Sequence, residues 1–178
     1  MTAVRERQRL FFALWPDEAS QQKIDKLNQQ LLHQGQRLTA NNLHITLLFL
    51  GYIDKQWYEP ISKAVASVRA DSLSLCFDEL LYWRKPRVLC LGYQRQTMPL
   101  YRLLNQLHQK MRPFPIRLES RPFRAHITLA RKVKERPEHA RFTPIRMEFD
   151  QFALVESVSS AQGVNYIPRQ YWPLSTLN

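Results

Sequence analysis

Two histidines in this chain stand in the same tetrapeptide, His-Ile-Thr-Leu, at His44–Leu47 and again at His126–Leu129. Each copy lies in an apolar run that reads as a β-strand, Leu43–Leu50 for the first and Ala125–Ala130 for the second. Residues two apart on a strand share a face. His44 and Thr46 therefore point one way and Ile45 and Leu47 the other, and His126 and Thr128 against Ile127 and Leu129 repeat the arrangement. Each copy sets an imidazole beside a hydroxyl. Two such strands facing each other supply one histidine to give a proton and one to take it, the equipment for acid–base chemistry on a phosphoester. Polar groups buried twice on otherwise apolar strands need a reason beyond packing. The remaining histidines lack a paired hydroxyl or a symmetric mate. His33 at the end of the first helix, His108 in mid-helix and His139 in a polar loop read as surface or capping residues.

The elements that must position the pair alternate along the chain. Leu10–Trp15 reads as a strand, and Pro16-Asp17 opens a helix carrying Ile24, Leu27 and Leu31 that stops near Gly35. The first motif strand follows, closed by Gly51. A second helix carries Trp57, Ile61, Val65 and Val68. Leu73, Leu75 and Phe77 alternate as a strand does, and the turn Arg84-Lys85-Pro86-Arg87 leads into Val88–Tyr93, so this pair reads as a hairpin. Leu100, Leu103, Leu104, Leu107 and Met111 mark a third helix, ended before Pro113. Beyond the second motif strand, a charged loop spans Lys132 to Arg146, and strands run through Phe149–Val155 and Gly163–Trp172. Strand, helix and motif strand occur in the first half (Leu10 to Leu50) and again in the second (Val88 to Ala130). Duplication puts the histidines at equivalent positions in two lobes related by a pseudo-twofold axis. The expected fold is α+β: one bilobal domain over residues 1–178, mostly antiparallel sheets around a central cleft, helices on the outer faces.

Composition narrows the partner. Lys+Arg of 26 against Asp+Glu of 15 gives a net charge of +11 and a pI near 10.1, which favours a polyanion, nucleic acid before an anionic membrane. The tract Arg84–Arg87 reads as a solvated turn first and an RNA clamp second. Hydrophobic content of 44% with 11% aromatics argues for a packed globule over disorder. No apolar stretch approaches the roughly 20 residues that cross a bilayer. The charged start, Met1 to Arg9, does not read as a signal peptide. Two cysteines, Cys76 and Cys90, without CxxC spacing argue against a disulfide framework or a thiolate metal site. A reduced, cytoplasmic enzyme fits these features.

The paired H-x-T-x motifs resemble those of the two-histidine (2H) phosphoesterase superfamily, and within it the LigT-like bacterial RNA 2′,3′-cyclic phosphodiesterases, also called 2′-5′ RNA ligases. The resemblance covers essentially the whole chain. It rests on Arg9-Leu10-Phe11-Phe12-Ala13-Leu14, on Asn42-Leu43-His44-Ile45-Thr46-Leu47 with Phe49-Leu50-Gly51, and on Arg121-Pro122-Phe123 leading into His126-Ile127-Thr128-Leu129-Ala130-Arg131. It implies that His44 is the proton donor to the 3′ oxygen, that His126 accepts a proton from water, and that the product carries a 2′-phosphate; the residues alone do not assign those roles. It implies phosphate contacts from Thr46, Thr128 and Arg131, although strand parity sets Arg131 on the face opposite His126. It implies RNA ends, tRNA fragments among them, as substrates, with no metal, no cofactor and no obligate protein partner, and the reverse 2′-5′ joining reaction. Where the family carries basic residues near its C-terminus, this chain reads Gly163-Val164-Asn165-Tyr166, without a positive charge.

Two other readings stay open beside it: a phosphodiesterase of small cyclic nucleotides, and an RNA-binding domain that keeps the scaffold without turnover. Two intact motifs favour an enzyme, because a binding module needs no matched imidazoles. Phe11, Tyr52 and Tyr166 are the candidate platforms for a base.

Overall fold

The computed structural model of the protein describes residues 6–31, 33–93, 95, 97–137, 141–161 and 163–175. Among them the chain runs β1 (Arg7–Leu14), α1 (Glu18–Gln30), β2 (Gln36–Arg37), β3 (Ile45–Asp54), α2 (Tyr58–Val65), β4 (Leu73–Phe77), β5 (Glu79–Trp83), β6 (Val88–Gly92), α3 (Met98–Met111), β7 (His126–Arg131), β8 (Ile145–Phe149), β9 (Gln151–Ser160) and β10 (Gly163–Pro173). The class is α+β, with antiparallel pairing throughout. Local chemistry starts α1 where the sequence predicts, with Asp17 accepting the Ser20 N–H at 2.6 Å, and a proline stands in the first turn of α3.

The large sheet has the order β10-β9-β1-β3-β7-β6-β5, with β2 added against β7. Next to the two motif strands that order is symmetric. β1 flanks β3 and β6 flanks β7, so β1–α1–β3 and β6–α3–β7 are the repeated units read from the sequence. The two motif strands pair at Ile45 opposite Ile127, the second residue of each motif, and β2 of the first half also pairs with β7. Both isoleucines are fully buried, in a core where Leu10, Phe12 and Leu129 meet Ile24, Ile61, Leu100 and Leu107 from the helices. Helices thus cover one face of the sheet. Two smaller clusters lie apart from this core, Phe11 with Ala13, Ala153 and Val155 in one half, and Leu81 with Val88 and Cys90 in the other.

Both motif strands bulge at the fourth motif residue. Thr46 pairs with Ala13 and Leu48 with Phe12, leaving Leu47 as the extra residue; Thr128 pairs with Cys90 and Ala130 with Leu89, leaving Leu129 extra. A bulge inserts one residue and resets the alternation of faces. Consecutive buried pairs, Leu47–Leu48 and Leu129–Ala130, mark the reset. The Leu129 carbonyl, out of step with β6, accepts the Leu38 N–H and the Asn28 side-chain amide, each at 2.9 Å. Asn28 is 1% exposed, so this contact satisfies a buried amide as well as the bulge. Asn28→Ala should lower the unfolding free energy by about 1–3 kcal/mol, the cost of removing one partner of a buried hydrogen bond. Urea denaturation with an unchanged m-value is the measurement; wild-type stability would mean that Leu38 alone holds the bulge.

Three expectations are corrected. Gly51 does not close its strand: it lies inside β3 at φ +78°, beside a second bulge between Leu10 and Phe11, and the strand continues to Asp54. The turn at Arg84–Arg87 joins β5 to β6, a strand the alternation pattern did not announce, while β4 pairs with β8 in a separate sheet. The last part of the chain holds three strands where two were expected, with β8 beginning inside the predicted loop. Periodicity reports which side of a strand is buried, not which strand lies beside it. No helix among the described residues is long and apolar enough to cross a membrane.

Candidate active site

The Ile45–Ile127 pairing explains why four polar side chains converge. Continuing that antiparallel register by one residue in each direction sets His44 level with Thr128 and Thr46 level with His126. The isoleucines face the core, so their neighbours face the other way. All four line one cavity of about 630 Å³. The sequence-predicted pair and both threonines are therefore brought together.

The two imidazoles are held alike. His44 Nδ1 lies 2.8 Å from the Asn42 carbonyl, and His126 Nδ1 lies 2.8 Å from the Arg124 carbonyl. A carbonyl only accepts, so Nδ1 carries the proton in each ring and Nε2 is left to meet a ligand. Their surroundings differ. His44 stacks on Trp15 at 5.4 Å and 14°, with Phe11 at 5.1 Å and the edge of Tyr166 at 4.6 Å. His126 meets only Trp83 among the rings of the described residues, edge-on at 4.6 Å. Burial among these rings pushes the His44 pKa down to about 4; the Asn42 carbonyl opposes this, and the charges of His126 and Arg131 add to it. Burial also holds His126 below its ordinary value, opposed by the Arg124 carbonyl and reinforced by the Arg124 charge. Both rings are thus neutral at pH 7.

Arg131 corrects the parity argument. Because Leu129 is bulged, Arg131 lines the same cavity as His126 and Thr128. Its Nη2 donates to the Tyr166 hydroxyl at 3.0 Å. Asn42 ties this corner together. Its side chain donates to the Val164 carbonyl at 3.0 Å and accepts the Tyr166 N–H at 3.3 Å, while its own carbonyl orients His44. The uncharged Gly163–Tyr166 segment thus reaches the site through Tyr166, by a hydroxyl and a ring edge in place of a cation. On the other side, the buried Cys90 thiol, its pKa pushed up to about 12 by burial, donates to Thr128 Oγ1 at 3.9 Å. That leaves the threonine hydrogen free for an incoming oxygen.

The walls are basic. Arg9, Lys85, Arg121, Arg124 and Arg131 line the cavity, and the one carboxylate in its lining among the described residues, Glu119, pairs with Arg121. Lys85 and Pro86 bring the solvent-exposed Arg84–Arg87 turn to the edge of the cavity. Among the described residues no three His, Cys, Asp or Glu side chains form a group able to hold a metal.

Other expectations divide. Tyr166 lines the cavity, Tyr52 is exposed away from its lining, and Phe11 is fully buried behind His44 and offers no open face. His33 is not a cationic cap: Nδ1 accepts the Gly35 N–H at 3.1 Å, and burial, with the Arg37 charge, lowers its pKa. His108 on α3 lines the cavity, contrary to its reading as a surface residue. His139 lies outside the described residues. Sequence reasoning missed Trp15, Trp83 and Phe49. Their only signal was being aromatic at a strand end or in an apolar run, which suits a core residue equally.

Comparison with known proteins agrees with this geometry. The model of the 2′-5′ RNA ligase superfamily matches residues 15–161. The RNA 2′,3′-cyclic phosphodiesterase of Escherichia coli (strain K12) is 30% identical over 96% of this chain and 98% of its own. A protein of the same name from Archaeoglobus fulgidus is 26% identical over 89% of this chain and 96% of its own. The crystal structure of E. coli LigT complexed with 3′-AMP superposes with a TM-score of 0.86 at 27% identity, covering 96% of this chain and all of that one (100%).

Proposed function

This chain belongs to the 2′-5′ RNA ligase superfamily, and on that premise we propose that it hydrolyses RNA 2′,3′-cyclic phosphate ends to 2′-phosphates by two-histidine acid–base catalysis. The observation that carries the reading is the matched pair of imidazoles, each pinned through Nδ1 to a carbonyl two residues before it, in the wall of one basic cavity.

In the proposed reaction, water attacks the phosphorus in line with the 3′ oxygen. His126 Nε2 takes the proton from the water, the P–O3′ bond breaks, and His44 Nε2 delivers its proton to the leaving oxygen. Thr46, Thr128 and Arg131 donate to the phosphoryl oxygens, where charge builds in the transition state. An anionic phosphate beside both rings favours imidazolium, so the substrate itself helps load His44 with the proton that burial otherwise denies it. With a 5′-hydroxyl in place of water as the nucleophile, the same ring opening breaks P–O3′ and makes a 2′-5′ bond. Residues 1–178 act as one catalytic unit in this reading. RNA ends, tRNA fragments among them, are the substrates, and the cytoplasm, which suits two free cysteines, is the compartment.

The test is an oligonucleotide ending in a 2′,3′-cyclic phosphate, incubated with the protein in EDTA. Turnover to a 2′-phosphate, identified by phosphorus NMR, is the expected result. A 3′-phosphate product would exchange the roles of the histidines, and no turnover without added metal would reject the mechanism.

A further inference from the structure

The turn between β5 and β6 lies against the segment that follows β7. The Val133 N–H donates to the Arg87 carbonyl at 3.0 Å, and the Tyr82 hydroxyl donates to the Val133 and Lys134 carbonyls at 3.1 and 3.0 Å. Val133 is fully buried and anchors its segment. Around it, Arg84, Lys85 and Arg87 from the turn and Lys132, Lys134 and Arg136 from the segment are all exposed, and Glu135 is the one carboxylate in either stretch. Elsewhere in the molecule arginines are held by acids, Arg7 by Asp54, Arg102 by Asp71, Arg124 by Glu79 and Arg169 by Glu156. Among the described residues, none of the six cations of this patch has an ion pair.

A cluster of exposed cations by itself serves solubility as well as binding. The backbone argues for more. Arg87 (φ +66°) and Lys132 (φ +56°) are the two non-glycine residues in the left-handed region among the described residues, and both fall in this patch. A Cβ in that region crowds the following carbonyl oxygen, a cost glycine does not have. The chain thus carries Arg and Lys at the two turn positions where glycine fits better, and sets them among like charges. Strain of this kind collects where a side chain is needed for function.

The patch begins at the catalytic centre. Trp83, whose ring meets His126, immediately precedes Arg84, and Lys85 lines the cavity while the other five cations lie outside its lining. They bear on what extends from the cavity, not on the reacting phosphate. We propose that this patch is a docking surface for the phosphate backbone of single-stranded RNA whose reacting end occupies the cavity. The inference rests on the reading of that end as the substrate. Continuity with the cavity favours a strand that enters it over an anionic lipid surface of similar charge.

Fluorescence anisotropy with a labelled oligoribonucleotide of about 12 nucleotides ending in a 2′-phosphate, an ordinary span for a single-strand site, tests the proposal. With Arg87→Gly and Lys132→Gly combined, the slope of log K against log salt should become shallower by about 1.4, at ~0.7 per phosphate contact; for curves that meet near 1 M salt this is a loss of about 25-fold at ~0.1 M. Adenosine 2′-phosphate should bind both proteins alike. The same variant should melt about 2–4 °C above the wild type, because glycine relieves both strained positions. Arg87→Lys with Lys132→Arg, which keeps both charges, should bind the oligonucleotide as the wild type does. Unchanged oligonucleotide affinity in the glycine variant overturns the proposal, and so does a lowered Tm, which would assign the two side chains to the fold. Loss of binding to phosphatidylserine–phosphatidylcholine vesicles with RNA affinity unchanged would give the patch to a lipid surface instead. Turnover of adenosine 2′,3′-cyclic phosphate by the wild type tests the hydrolase reading separately: patch-dependent RNA binding without turnover keeps the surface and rejects the hydrolase, and turnover with unchanged RNA affinity in the variant does the reverse.

Discussion

His126→Ala and His44→Ala are each expected to lower kcat/KM for cyclic-phosphate opening by about two to four orders of magnitude, the usual contribution of a positioned acid or base. The double variant should be little worse than the poorer single one, because a proton donor without its acceptor, or the reverse, leaves no concerted route to preserve. The two variants should differ in stability. Among the described residues His126 meets a single ring, and its loss should leave Tm near the wild-type value. His44 fills a nest formed by Trp15, Phe11 and Tyr166, so its removal opens a hole and should lower Tm by about 3–6 °C for ~1–2 kcal/mol in a chain of this size. Rates measured well below that Tm separate the chemical loss from the structural one. Near-normal turnover in either single variant would place the chemistry elsewhere.

The second large effect is on pH dependence. Productive binding needs one imidazole protonated and the other neutral. In the free protein His44 titrates near 4 and His126 below 6.5, both pushed down chiefly by burial. Above about 6.5 both rings are neutral, and the fraction holding one proton falls roughly tenfold per pH unit; below about 4 both are charged. Since kcat/KM reports the free enzyme, it should peak on the acid side of 6.5 and fall steadily toward alkaline pH. Bound phosphate raises both pKa values, so kcat should peak at higher pH than kcat/KM. A kcat/KM optimum above 7, or identical profiles for the two constants, would contradict this account. The same depression has a thermodynamic side. The unfolded chain takes up protons at these histidines before the folded one does, so stability should decline as pH drops from about 6.5 toward 4.

The sequence by itself determined the faces. Period-two alternation within each His-Ile-Thr-Leu copy put an imidazole and a hydroxyl on one side, and repetition of the whole strand–helix–strand unit implied a twofold relation. Nothing more distant was needed, because side-chain alternation is a property of four consecutive residues. The tertiary structure decided partners and exceptions. Pairing Ile45 with Ile127 set each histidine level with the threonine of the other copy. The bulges at Leu47 and Leu129 overrode parity and turned Phe49 and Arg131 into the cleft, and the Leu129 bulge depends on hydrogen bonds from Asn28 and Leu38, far away in the chain. The tryptophans beside the imidazoles, the pairing of β4 with β8, and the neutral His33 belong to the same class. Each is fixed by a ladder, a ring contact or a hydrogen bond formed only after the chain has folded, and local periodicity carries no record of such contacts.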